Sequence, residues 1–157
     1  MSDLPYRPCV GIMLINAEGE IFVGERIDTP GAWQMPQGGI DKGEEADVAA
    51  LRELEEEIGV TAAAVELITR TPAPLAYDLP PHLLGKVWGG KYKGQIQHWY
   101  LMRLTGDEAG INIDVEHPEF SRWRWTDAKA LVDEIVPFKR PIYEALVDAF
   151  GMYLKGA

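Results

Sequence analysis

The chain has 157 residues, of which 46% are hydrophobic and 25% charged, and its formal net charge is −10 at pH 7. A chain of this length buries about two-thirds of its unfolded surface, which predicts one domain over residues 1–157. The single cysteine, Cys9, excludes an internal disulfide and a cysteine-rich zinc site, and the negative charge disfavours non-specific binding to nucleic acid or membranes.

The N-terminal third of the chain has the pattern of a β-hairpin, a short strand, a loop and a helix. Apolar residues alternate over residues 10–14, turn residues follow at 16–19, and a second strand is predicted at 21–24. A short strand is expected at 32–35, followed by a loop over 36–39. Residues 45–58 contain good helix formers without interior glycine or proline, which predicts a helix ending at Gly59.

The rest of the chain alternates between strand and helix patterns. Strands are predicted at residues 65–70, 75–77, 95–104 and 122–125, and helices at 127–134 and 140–153. Because the two kinds of element interleave, we expect an α/β fold in which helices cover a central sheet. The pattern leaves the order of the strands open.

Three glutamates are expected to project together from the helix at 45–58. Glu53, Glu56 and Glu57 are spaced i, i+3 and i+4, so they fall within an arc of about 100°. Carboxylates at this spacing repel each other, and oxygen ligands without nearby histidine or cysteine favour Mg²⁺ or Mn²⁺ over Zn²⁺. The opposite, buried stripe is expected to contain Val48, Leu51, Leu54 and Ile58.

Charge is unevenly distributed along the chain. Residues 41–57 contain eight acidic and two basic residues, whereas residues 70–104 contain five basic residues and one acidic residue. An acidic cluster and a basic stretch in one small domain suggest that the protein binds a cation beside an anion. Alternatively, the acidic residues belong to a solvated helix and the basic residues to an ordinary surface.

The spacing around the glutamates matches the box that defines a known family. Gly38 is followed after five residues by Glu44, and after seven more by the sequence Arg-Glu-Leu-Glu-Glu-Glu-Ile-Gly-Val at residues 52–60. The chain therefore resembles the Nudix hydrolases, with the Nudix box at residues 38–60. This resemblance implies an α/β/α sandwich with a central mixed sheet.

The resemblance also implies roles for residues in and near the box. It makes Glu53, Glu56 and Glu57 the catalytic, metal-binding carboxylates, with Glu53 and Glu57 as candidates for the general base. In the same pattern Glu44 and Arg52 support the loop and helix, and the backbone oxygen of Gly38 is a further metal ligand. Glu119 is predicted to be a fourth carboxylate ligand, with Glu116 as the alternative.

Further segments are similar to the Nudix subgroup that contains RNA pyrophosphohydrolases and asymmetric diadenosine tetraphosphate hydrolases. They lie at residues 6–8, 33–39, 77–80, 94–95, 118–120 with 123–125, and 138–140. By this resemblance, Arg7 and Lys139 contact phosphates, Arg26 and Val136 flank a base, and Tyr77 is a stacking platform. Phosphate contacts are also considered for Lys86, Lys91 and Lys93, and a base contact for Trp88.

The resemblance predicts a metal-dependent hydrolase of nucleoside polyphosphates. We favour an RNA pyrophosphohydrolase that converts 5′-triphosphate RNA ends to 5′-monophosphates with release of pyrophosphate. The alternative among enzymes is a hydrolase that acts on dinucleoside polyphosphates. The alternative outside the enzymes is a non-catalytic protein that senses nucleotides. Because the sequence has neither a signal peptide pattern nor a long apolar run, we expect a cytoplasmic protein without membrane contact. The oligomeric state is left open.

Overall fold

The computed structural model describes residues 3–157 and is built on a mixed sheet of eight strands within that range. The strands are β1 Tyr6–Ile15, β2 Ile21–Arg26, β3 Trp33–Gln34, β4 Gln37–Gly39, β5 Val65–Arg70, β6 Leu75–Asp78, β7 Gly94–Leu104 and β8 Phe120–Thr126. The helices are α1 Ala46–Ile58, α2 Ala128–Glu134 and α3 Arg140–Phe150. Within the described residues, no helix is both long and apolar enough to cross a membrane.

The two longest strands lie side by side in the middle of the sheet. β1 and β7 are parallel, in register from Tyr6 opposite Gly94 to Ile15 opposite Arg103. The remaining pairings are antiparallel: β2 and β4 pair with β1, β3 and β8 with β2, and β5 and β6 with β7. The path β3-β2-β1-β7-β5 is the strand order that the sequence pattern had left open.

Helices cover both faces of the sheet, which confirms the predicted α/β/α sandwich. Successive side chains of β1 point to opposite faces, so Ile12 packs toward α1 and Met13 toward α2 and α3. Both faces are buried, and this explains the nearly continuous apolar sequence of β1. The α1 side is filled by residues such as Val10, Leu54, Ile58 and Tyr100, and the other side by Trp99, Leu101, Leu131 and Leu146.

Several boundaries differ from those predicted. Residues 37–39, expected in a loop, form β4, because their backbone pairs with Cys9, Val10 and Gly11 of β1. Helix α1 begins at Ala46 and ends, as predicted, at Gly59, whose φ of 70° is the left-handed conformation of a glycine C-cap. Helix α3 ends at Phe150, and residues 151–153 continue as a 3₁₀ turn.

The orientation of α1 also differs from the expected one. Val48, predicted to be buried, is 53% exposed, whereas Ala49 and Ala50 are completely buried. These two small side chains let the helix approach the sheet closely. Glu57, predicted to lie opposite the buried stripe, is only 7% exposed, while Leu54 is buried as expected. The helix is therefore rotated so that one end of the glutamate stripe lies under the protein surface.

This orientation predicts different costs for two truncations on α1. We expect Leu54→Ala to lower the free energy of unfolding by about 2–5 kcal/mol, because it leaves a cavity between α1 and the sheet. The matched control Val48→Ala removes an exposed side chain and should cost about 0.5 kcal/mol or less. Urea unfolding of both variants measures the difference, and equal losses would contradict the observed orientation of α1.

Candidate active site

The carboxylates of the Nudix box lie where α1 packs against β4. The backbone N–H of Gln37 in β4 donates a hydrogen bond of 3.0 Å to Oε2 of Glu57. Glu53 lies directly against Gly38, and a Cβ atom added to Gly38 would overlap the carboxylate of Glu53. The glycine therefore allows the close contact between β4 and α1 that places the carboxylates at one end of the sheet.

Arg52 connects the box loop to the helix. Its Nε and Nη2 donate to the two carboxylate oxygens of Glu44 at 2.8 and 2.9 Å, and Nη2 also donates to the carbonyl oxygen of Gly39 at 2.9 Å. Its Nη1 donates to Glu53 at 2.8 Å and to Glu56 at 3.1 Å. The hydrogen bonds from Arg52 lower the pKa of Glu44 to about 2. Glu44 and Arg52 thus form a charged brace between the loop and α1.

The environment of Glu53 and Glu57 disfavours their charged forms. Burial raises the pKa of Glu57 well above its ordinary value, and repulsion from Glu53 and Glu119 raises it further. Burial also raises the pKa of Glu53, although the hydrogen bond from Arg52 opposes this effect. A nearby cation would favour the ionised forms of these carboxylates.

The donor set fits a hard divalent cation. Glu53, Glu56, Glu57 and Glu119 offer carboxylate oxygens only, which is the ligand type that Mg²⁺ and Mn²⁺ prefer. Within residues 3–157, no three acidic, histidine or cysteine side chains already converge as a complete set of metal ligands. Glu53 and Glu56 instead both accept hydrogen bonds from Arg52. Each of these hydrogen bonds uses one carboxylate oxygen, Oε1 of Glu53 and Oε2 of Glu56, so Arg52 does not engage the second oxygen of either carboxylate.

Two cavities meet at the glutamate cluster. The first, which we name the acidic cavity, has a volume of about 400 Å³ and is lined by Glu53, Glu55, Glu56, Glu57, Val115, Glu116, His117 and Glu119. The second, which we name the central cleft, has a volume of about 390 Å³ and is lined by Arg7, Arg26, Gln34, Gln37, Gly38, Gly39, Glu53, Glu56, Glu57, Trp88, Gln95, Glu119 and Lys139. Glu119 lines both cavities, whereas Glu116 lines the acidic cavity but not the central cleft. This position favours Glu119 over Glu116 as the fourth carboxylate.

A third cavity, which we name the apolar pocket, adjoins the central cleft. Its volume is about 330 Å³, and it shares Arg26, Trp88 and Lys139 with the cleft. Its other lining residues are Asp28, Thr29, Tyr77, Leu79, Leu83, Val87, Val136 and Phe138. A charged cleft that continues into an apolar pocket suits a ligand with phosphates at one end and a base at the other.

The structure brings most of the predicted substrate-binding residues to these two cavities. Arg7, Arg26 and Lys139 line the central cleft, and Val136 lies in the apolar pocket. Tyr77 is 8% exposed and its ring packs against Phe138, so it belongs to the pocket wall and does not form an open platform.

Lys93 lies apart from these residues. Among the described residues that line the cleft and the pocket, Lys93 does not occur. Its Nζ lies 4.6 Å from the centre of the Tyr6 ring, a cation–π contact at the surface. The phosphate contact considered for Lys93 therefore stays a prediction without support from the geometry of the cleft.

Lys139 is a buried cation at the junction of the cleft and the pocket. It is 5% exposed, and its Nζ donates to Oε1 of Gln34 at 3.4 Å. Burial lowers the pKa of its ammonium group to about 8, and the positive charge of Arg26 contributes to this shift. An anionic ligand in the cleft would stabilise the protonated form.

The glutamines of the central cleft were not predicted from the sequence. Gln34, Gln37 and Gln95 line it, and Gln95 is followed two residues later by a second buried glutamine, Gln97. Polar residues at i and i+2 of an otherwise apolar strand share one face, so this spacing was the available signal.

Trp88 also contributes to the site. It lines both the cleft and the pocket, and its ring centre lies 5.7 Å from the guanidinium carbon of Arg7. Its φ of 50° is unusual for a residue with a large side chain, and Gly89 and Gly90 follow it with positive φ values. The sequence alone had left this tryptophan undecided.

Comparison with known proteins identifies the family. Residues 5–146 match the family described as the NUDIX domain. The chain belongs to the Nudix family. The RNA pyrophosphohydrolase of Sphingopyxis alaskensis is 55% identical to this Nudix protein over 151 residues, or 96% of each chain. The RNA pyrophosphohydrolase of Cereibacter sphaeroides is 58% identical over 154 residues, which are 98% of this chain and 95% of that protein.

Solved structures support the Nudix fold independently. The E. coli dihydroneopterin triphosphate pyrophosphohydrolase superposes with a TM-score of 0.71 at 21% identity, covering 92% of this chain and 98% of that one. A C. elegans Ap4A hydrolase superposes with a TM-score of 0.67 at 16% identity, covering 93% and 98%. At these identities the similarity concerns the fold, and it confirms the fold predicted from the box.

The buried ammonium of Lys139 predicts a dependence of the stability of this Nudix protein on pH. Its folded-state pKa of about 8 lies below the ordinary 10.5, so the folded protein carries the cost of the buried charge below pH 8. Lys139→Met should therefore raise the free energy of unfolding at pH 7, by at most about 3 kcal/mol. The gain should shrink as the pH rises from 8 toward 10.5, where the unfolded lysine also loses its proton.

Chemical unfolding of the wild type and Lys139→Met at several pH values between 7 and 10 measures this difference. Lys129→Met, at an exposed position of α2, is the matched control and should show no such pH dependence. A Lys139→Met variant that is less stable than the wild type at pH 7 would refute the assignment of a costly buried charge.

Proposed function

We propose that this Nudix protein is an RNA pyrophosphohydrolase that removes pyrophosphate from 5′-triphosphate RNA ends and leaves a 5′-monophosphate. The observation that carries the proposal is the central cleft, in which carboxylates face cationic side chains. Relatives named RNA pyrophosphohydrolase share 55–58% identity with nearly the whole chain, which supports the same substrate.

We assign the cation of the site as Mg²⁺ or Mn²⁺, held by Glu53, Glu56 and Glu57 with Glu119 and the carbonyl oxygen of Gly38. All of these ligands are oxygens of residues that line the central cleft. Such a cation neutralises charge on phosphate oxygens and activates water for attack on phosphorus.

Other side chains of the cleft and the pocket bind the substrate and accept a proton. Arg7 and Lys139 bind the phosphate chain, and the adjoining apolar pocket accepts a base between Arg26 and Val136. Glu57 or Glu53, in its ionised form, accepts the proton of the attacking water. Water forms the new P–O bond as the P–O bond of the anhydride breaks, and pyrophosphate carries away the electron pair.

The carboxylate cluster predicts the effect of removing one charge from it. Glu57→Gln should reduce turnover of 5′-triphosphate RNA in the presence of Mg²⁺ by at least about 100-fold, because it removes both a metal ligand and a candidate base. Glu55→Gln is the control on the same helix, since Glu55 is exposed and lines the acidic cavity but not the central cleft.

Release of pyrophosphate, measured with and without Mg²⁺, is the assay for these two variants. We expect Glu55→Gln to retain wild-type turnover. Similar losses in both variants would argue against a specific role for Glu57, and turnover that is independent of divalent cations would argue against the assigned metal.

The choice between RNA and a dinucleoside polyphosphate requires a direct comparison. With 5′-triphosphate RNA and diadenosine tetraphosphate offered together, we expect kcat/KM to be at least about 10-fold higher for the RNA. An RNA carries further nucleotides that can contact the apolar pocket while its triphosphate occupies the cleft. A preference for the dinucleotide would overturn the substrate assignment but not the assignment to the Nudix hydrolases.

A further inference from the structure

Two glutamine side chains of the central cleft are hydrogen bonded to a third glutamine inside the protein. We propose that Gln97, oriented by Trp99, is a positioning residue that turns the amide N–H groups of Gln37 and Gln95 toward the phosphates of the substrate. The proposal deepens the proposed function and rests on it for the identity of the substrate. We call these four residues the amide relay.

The contacts of the amide relay form one continuous series. Nε1 of Trp99 donates to Oε1 of Gln97 at 2.8 Å. Nε2 of Gln97 then donates to Oε1 of Gln95 at 2.7 Å and to Oε1 of Gln37 at 3.1 Å. Gln97 is 1% exposed and Gln95 is 2% exposed, so water does not compete for the inner bonds.

The indole of Trp99 determines the direction of every bond in the series. An indole N–H is a donor and has no acceptor function, so the group of Gln97 that faces it must be the carbonyl oxygen. The amide nitrogen of Gln97 then faces Gln37 and Gln95, which must both present their oxygens to it. With Gln97 rotated by 180°, donor would face donor at Trp99 and oxygen would face oxygen at both other glutamines.

This direction determines what the two outer glutamines present to the cleft. Gln37 and Gln95 both line it, and both use their carbonyl oxygens toward Gln97. Their amide nitrogens are therefore the groups available to a ligand. Phosphate oxygens accept hydrogen bonds only, so N–H donors attract them and carbonyl oxygens would repel them.

The start of the relay is held rigidly in the core. Trp99 is completely buried, and its indole lies over Gly11 of the neighbouring strand, where an added methyl group would come within 2.5 Å of the ring. The ring of Tyr143 packs edge-on against it at a centroid distance of 6.0 Å. Because the indole cannot tilt freely, the position of its N–H is fixed.

The other end of the relay is tied to the carboxylate cluster. Gln37 pairs with Gly11 in the sheet, and its backbone N–H donates to Oε2 of Glu57. One residue thus contacts the candidate metal-binding cluster through its backbone and faces the phosphate cleft through its side chain. The relay therefore fixes the position of hydrogen-bond donors for phosphate relative to the candidate metal site.

A double-mutant cycle separates this role from simple packing. Gln97→Met keeps the length of the side chain and removes its polar atoms, and we expect kcat/KM for 5′-triphosphate RNA to fall roughly 10-fold. In a Gln37→Ala/Gln95→Ala background, the same change should alter kcat/KM by less than about 2-fold, because the groups that Gln97 orients are gone. An equal loss in both backgrounds would overturn the proposal.

Folding controls accompany the cycle. Thermal unfolding is measured for each variant, and Thr126→Val, a substitution at a buried polar position of β8, should leave kcat/KM unchanged. If wild-type protein hydrolyses another nucleoside polyphosphate in place of RNA, the cycle is run with that substrate. That result would overturn the proposed RNA substrate, and the cycle with the other substrate would still test the relay.

A spectroscopic measurement tests the relay without turnover and without any variant that must fold. Inorganic pyrophosphate is titrated into wild-type protein while the side-chain ¹⁵N–¹H₂ resonances of Gln37, Gln95 and Gln97 are followed by NMR. We expect the resonances of Gln37 and Gln95 to shift and that of Gln97 to move much less, because only the outer amides face the cleft. Unchanged resonances of Gln37 and Gln95 at saturating pyrophosphate would refute the relay.

Discussion

The arrangement of the candidate site depends on several carboxylates that lie close together on the half-buried face of one helix. Burial and mutual repulsion both act against ionisation of Glu53 and Glu57. Arg52 partly offsets this repulsion by contacting Glu53 and Glu56 while bracing the loop through Glu44. The close approach of β4 to α1, which Gly38 permits, makes the cluster compact. The same crowding that disfavours the ionised carboxylates in the isolated protein would favour a bound cation.

The sequence predicted the parts of the site whose positions follow from local geometry. Three glutamates at helical spacing must project together, and a glycine after the last turn ends the helix in the predicted place. The burial of Glu57 could not be predicted in this way, because the rotation of α1 depends on Ala49 and Ala50 packing against a distant part of the sheet. Local spacing fixes which side chains share a face, and tertiary packing decides how deeply that face is buried.

The central cleft shows a second limit of sequence analysis. The cleft combines residues from β1, β4, β7 and the turn before α3, and the parallel pairing of β1 with β7 brings them together. The pattern had left strand order open, so Gln37 and Gln95 could not be placed beside each other. The amide contacts through Gln97 depend on that register, although the alternation of Gln95, Gln97 and Trp99 along one strand is visible in the sequence.

Neutral amides solve a problem that additional cations would create. An arginine or lysine that forms an ion pair with one of the carboxylates, as Arg52 does with Glu53, is less available to a phosphate. Gln37 and Gln95, which line the same cleft, carry no charge that the carboxylates could neutralise, so their N–H groups are not lost to ion pairs. Lys139, with its pKa lowered to about 8, carries its charge at a cost that a bound phosphate would offset. The cleft can therefore bind an anion beside a cluster of carboxylates without losing its donors to them.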